Sequence, residues 1–99
     1  MKKTIIGITV VGKDREGIVA QFTNFVFQNN GNVEKVNQNV IKGLFGMYLE
    51  VSFTSKINFQ QLNSNLQKLG KKLRMEKVLT LKPIRKKALP YLLPKRNTA

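Results

Sequence analysis

The sequence contains no cysteine, no histidine and no tryptophan, and only five acidic residues among 99. Without cysteine there is neither a disulfide framework nor a thiolate nucleophile, and without histidine the usual general base and the commonest transition-metal ligand are both missing. The few carboxylates form no obvious pair on one helical face, which leaves Lys13, Asp14, Tyr48 and hydroxyl side chains as the only possible players; no nucleophile–base pair is visible among them. The chain is therefore expected to have no catalytic residues, no metal ligands and no cofactor. Gly12 and Gly17 have the G-x-x-x-x-G spacing of a phosphate-binding loop, but Ile18-Val19 stand where that loop requires Lys-Ser/Thr. No apolar run approaches the roughly 18 residues of a membrane span, and Met1-Lys2-Lys3 leads into alternation, not into the apolar block of a signal peptide. The expected compartment is the cytoplasm, with no membrane partner.

What is abundant is positive charge. Eighteen Lys and Arg against five Asp and Glu give +13, enough to suggest a polyanionic partner. The excess is unevenly placed: residues 1–54 hold six basic residues against four acidic, whereas 55–99 hold twelve against Glu76 alone. Nucleic-acid binding through the backbone is one reading of this C-terminal excess, from Lys56 through Lys87. Base stacking on an open sheet is poorly supported, because the first strand has no aromatic residue and Phe45 and Tyr48 of the third have opposite parity. Near the end of α-helical segment two, Lys68, Lys71 and Lys72 are also favoured simply by the helix dipole.

The chain is long enough for one domain with one core. "TIIGITVV" (4–11) is apolar on both faces and reads as a central strand. Ile18, Phe22, Phe25 and Val26 then recur at helical spacing, which predicts a helix over 15–29, with Gly31 as its left-handed cap. "NVEKVNQNVI" (32–41), the connection "KG" and "LFGMYLEVSF" (44–53) form a hairpin whose inner face is Phe45, Met47, Leu49, Val51 and Phe53. Asn58 is placed to cap a second helix over 59–69, stopped by Gly70, and 73–81 alternates as a fourth strand. The order β-α-β-β-α-β, with one apolar stripe per helix, predicts an α+β ferredoxin-like fold: a four-stranded antiparallel sheet with two helices on one face. Residues 1–82 are read as this domain and 83–99 as a basic, proline-containing tail, either disordered or an arm that packs Leu89, Tyr91, Leu92 and Leu93 on a partner subunit.

The loop "GKDREGIV" joins the first strand to the first helix. Asp14 is placed to cap the helix, and Gly17 lies in the first turn, where a side chain would ordinarily be better for stability. Its missing side chain serves either close packing or the approach of a carboxylate to the free amides of the helix start. Packing is the reading that spacing alone favours.

"GKDREGIVAQFTNFVFQNNGNV" followed by "GLFGMYLEVSF" resembles the ACT domain, including the free-standing ACT proteins and the N-terminal ACT domain of formyltetrahydrofolate deformylase, over roughly residues 4–82. Lys35 stands where those look-alikes tend to carry an acidic residue. The resemblance implies a non-catalytic regulatory module that pairs as a homodimer or a higher oligomer, senses an amino acid or small anion, and signals to a partner enzyme or regulator. By that similarity the ligand-binding positions are Gly12, Asp14, Gly17 and Ile18 on the loop of one subunit, with Asn32 and Val33 on strand two of the other.

Overall fold

A computed structural model describes residues 3–81. Strand β1 (Thr4–Lys13) leads to helix α1 (Ile18–Gln28), strands β2 (Asn32–Ile41) and β3 (Leu44–Phe53), helix α2 (Phe59–Lys72) and strand β4 (Met75–Leu81). The strands form one sheet in the order β2-β3-β1-β4, antiparallel at each pairing, so β1 is central as its two apolar faces require. This is the expected ferredoxin-like fold.

The core lies between the sheet and the helices. Ile6, Ile8 and Val10 of β1, five alternate residues of β3 from Phe45 to Phe53, and Val78 of β4 meet Ile18, Phe22 and Val26 of α1 and Leu62 and Leu66 of α2. Burying each large side chain stabilises the fold by about 1.5–3 kcal/mol. The opposite face of the sheet carries Thr9, Tyr48, Leu79 and Leu81, the two leucines being exposed. Among the described residues, no helix is long and apolar enough to cross a membrane.

The structure corrects several element boundaries. Helix α1 begins at Ile18, not at 15, and its N-cap is Gly17, with no side-chain cap; Asp14 does not cap it. The reason is that the backbone amide of Asp14 donates to the carbonyl of Gly43 at 2.9 Å, which keeps the chain with the sheet before it turns. Gly31 is not the left-handed residue after α1; Asn30 is, at φ 64°. A Cβ on Gly31 would lie 2.6 Å from Phe53 Cε1 and 2.8 Å from Val26 Cγ1, so its lack of a side chain serves space. Gly70 does not stop α2 either: it lies buried inside that helix, which runs to Lys72, and Arg74, at φ 60°, makes the turn into a β4 that starts at Met75. Asn58 does cap α2, its side chain accepting from the amide of Gln61 at 3.0 Å. The expected tail at 83–99, including its arm of Leu89 to Leu93, lies outside the described residues.

Candidate functional site

The loop between β1 and α1 is clamped on two sides. Asp14 is tied through its amide to the β2–β3 turn, and Arg15 donates from Nη1 to the carbonyl of Leu73 at 2.9 Å, just after α2. Between these anchors and the helix, Gly17 adopts φ 82°. A Cβ there would meet nothing within 4 Å, so close packing does not explain the glycine; the left-handed backbone does. The first amides of a helix have no intrahelical acceptor, and here no side chain caps them and no acidic residue occupies the first turn. The start of α1 therefore keeps free donors and an uncompensated positive dipole end.

Beside this helix start runs a groove of about 340 Å³, a size within the range of small-molecule sites. Asp14, Arg15, Gly17, Ile18, Val19 and Ala20 line one wall, Gln38, Asn39 and Val40 of β2 line the other, and Phe45, almost fully buried, sits at its base. Of the residues expected from sequence, Asp14, Gly17 and Ile18 are brought together here. Gly12 is not on the groove: a Cβ on it would lie 3.0 Å from the Met75 Cα and the Glu76 backbone nitrogen, at the point where the β1–β4 register shifts. Asn32 and Val33 are at the far end of the sheet. Asn32 pairs with Ser52, whereas the groove end is marked by Ile41, Leu44 and Lys13 in register. Nine strand residues separate Asn32 from Ile41, about 30 Å. One chain therefore does not join the two halves of the expected site. Arg15, Gln38 and Asn39 were not foreseen; the readable signal was Gln38 sharing parity with Val36 and Val40 on the helix side of β2.

The surroundings of Asn32 are polar. Glu34, at an irregularity between Val33 and Lys35, accepts from the buried Ser52 hydroxyl and from Lys3 Nζ at 3.4 Å. The Ser52 hydrogen bond, with the Lys3 charge second, holds the Glu34 carboxyl below its usual range. On the open sheet face Tyr48 donates to Glu50 Oε2 at 3.1 Å and lies against Gly7. Burial first, then Glu50, pushes the Tyr48 phenol up. Among the described residues no three His, Cys, Asp or Glu side chains gather in a way that could hold a metal ion.

Among the described residues no strand pairs with the outer edge of β2, and on its helix side Val36 and Val40 are exposed, at 42% and 47%. Helix α1 leaves this aliphatic pair uncovered. A long edge strand with exposed aliphatics is a ready template for another strand.

Known proteins are similar to this one over most of the chain. Residues 4–80 match the model of the ACT domain family. A UPF0237 protein of Methanococcus maripaludis is 45% identical over 65 residues, which cover 64% of this chain and 71% of that protein. An ACT domain protein from Streptococcus pneumoniae superposes with a TM-score of 0.74 at 30% identity, covering 80% of this chain and 89% of its own. Formyltetrahydrofolate deformylase from Burkholderia mallei gives 0.72 over 80% of this chain and 28% of its own, at 12% identity, a likeness of fold alone.

Proposed function

The chain belongs to the ACT domain family, whose members are regulatory small-molecule-binding modules, and on that premise we propose that it is a non-catalytic homodimeric sensor of an amino acid or small anion. The observation that carries this reading is the uncapped start of α1 opening onto a groove beside the edge of β2, which pairs with no other strand among the described residues. The amides at Gly17 and Ile18 would take the ligand's carboxylate, and Asp14 would pair with its ammonium group. Hydrogen bonds to charged groups of this kind contribute about 1.5–3 kcal/mol each.

A second subunit would supply the missing wall. Two β2 strands paired antiparallel about a two-fold axis normal to the sheet at Asn37, each leaving Glu34 out of the ladder as it does against β3, would set the partner subunit's Asn32 opposite Ile41, at the groove end of the first chain. Val33 follows it there, and the exposed Val36 and Val40 would be covered. Ligand in such a site touches both chains, so its occupancy would couple loop order to subunit packing and pass to a partner enzyme or regulator.

The test is a thermal-shift panel of all common amino acids at millimolar concentration, repeated with Asp14→Ala and Asn32→Ala. A ligand at a hundred times its Kd would add about 2.7 kcal/mol of stability. One amino acid should stabilise the wild type and neither variant. If none stabilises the wild type, the sensing part of the proposal fails and the pairing role alone remains.

A further inference from the structure

The fold gathers six cations at one end of the domain: Lys13 closing β1, Arg15 in the loop, Lys42 in the β2–β3 turn, Lys71 and Lys72 closing α2, and Arg74 before β4. They are distant in sequence. The bond from Asp14 to Gly43 joins the loop to the turn, the bond from Arg15 to Leu73 joins it to the end of α2, and a depression of about 380 Å³ is lined by Lys13, Asp14, Arg15 and Arg74. All six are exposed. Asp14, Glu16 and Glu76 are the carboxylates at this end, so the local balance is six against three. Yet among the described residues the only ion pair is Lys3–Glu34, at the opposite end of the sheet, and none of the six cations is paired.

The helix dipoles account for part of this arrangement only. Lys71 and Lys72 sit at the negative end of α2, where cations are favoured by about 0.3–1 kcal/mol each. Lys13 and Arg15 lie beside the positive start of α1, where cations are disfavoured. Their grouping is electrostatically unfavourable in the free chain and becomes favourable against a polyanion. The chemistry of the patch narrows the partner. The centre of a protein–protein interface is apolar, but none of the large exposed apolar side chains among the described residues belongs to the α1 loop, the end of α2 or the turn into β4; Ile41 and Leu44 lie beside Lys42 and Lys13, at one margin of the patch. Among the described residues at this end, base stacking has no platform, since Phe45 is buried and Tyr48 is held by Glu50 on the open face. A patch that is charged across its centre and apolar at one margin alone matches a repeating phosphate backbone.

We propose that this end of the domain docks on the phosphate backbone of a nucleic acid without reading its sequence. This surface borders the amino-acid groove and shares Asp14 and Arg15 with it, but Lys71, Lys72 and Arg74 do not line the groove, so either reading can fail alone. With about four phosphate contacts, the logarithm of the binding constant falls against that of salt with a slope of about −3.6 for duplex DNA, roughly a 150-fold loss between 50 and 200 mM.

The test is fluorescence anisotropy of the full chain with labelled duplex DNA of two unrelated sequences over that salt range. The Lys71→Ala/Lys72→Ala/Arg74→Asn variant is compared with Lys3→Ala/Lys35→Ala/Lys56→Ala, which removes equal charge elsewhere. Asparagine tolerates the positive φ at 74, and unchanged melting temperatures confirm that both variants fold. The expected result is equal binding to both sequences and a slope about 2.7 smaller in the first variant, with little change in the second. The proposal is overturned if the wild type does not bind duplex at 50 mM salt, if both variants lose the same slope, or if polyglutamate displaces DNA at a lower charge concentration than unlabelled DNA does, which would assign the patch to an acidic protein.

Discussion

Gly70→Ala sets two effects against each other inside α2. In an exposed helix interior this substitution stabilises by up to about 1 kcal/mol, because alanine is the better helix former. Here a Cβ would lie 2.5 Å from Val78 Cγ2 and 3.6 Å from Val78 Cβ. Val78 is almost fully buried, and a β-branched side chain has little freedom about χ1, so it cannot swing aside cheaply. The alternative is that α2 lifts from β4, which strains the 2.7 Å hydrogen bond from Gln67 Nε2 to the Val78 carbonyl. Overpacking of this kind costs about 1–3 kcal/mol, so after a gain in propensity of about 1 kcal/mol a net loss of up to about 2 kcal/mol is expected. Val78→Ala removes the opposing methyl groups. In that background Gly70→Ala should become neutral or stabilising by up to about 1 kcal/mol, a coupling that a double-mutant cycle in urea reads directly. If Gly70→Ala stabilises the wild type, the close approach of α2 to β4 is wrong, and Gly70 is only a weak helix residue.

Gly17→Ala meets no neighbour but must hold φ 82°, so urea denaturation should show a loss of about 1–2 kcal/mol, and Gly17→Asn a smaller one. No loss for alanine would mean that α1 starts differently. Glu34 has a folded-state pKa below its unfolded value, so its contribution is present above the ordinary glutamate range and is lost as pH falls through the folded value. Stability of the wild type should therefore drop more steeply than that of Glu34→Gln below about pH 4.5, and parallel acid limbs would argue against the Ser52 and Lys3 contacts.

The strands were legible because alternation is local: Phe45 to Phe53 declared the inner face of β3, and the two apolar faces of β1 placed it centrally. The ends of the helices were not, because a glycine does not say whether it serves a backbone angle or a space. Gly31 and Gly70 looked like stops and are close-packing positions, while Asn30 and Arg74, ordinary residues by sequence, make the left-handed turns. Gly17 looked like a packing residue and is the one that needs its φ. At the site, Asp14, Gly17 and Ile18 are contiguous and could be grouped by eye. Gln38 and Asn39 reach the groove only because β2 lies two strands from β1, beyond β3, a long-range fact of sheet order that no local spacing contains.

The central claim is that the site is shared between two copies of the chain. Asp14→Ala and Asn32→Ala should each abolish binding of the amino acid found by the thermal-shift panel, and mixing the two after unfolding and refolding provides the decisive measurement. In a mixed dimer one site carries both substitutions and the other carries neither, so with random pairing isothermal titration should recover about one quarter of the wild-type sites at wild-type affinity. Recovery of no sites, with mixed dimers shown to form, would place Asp14 and Asn32 in sites that are not shared and would contradict the account.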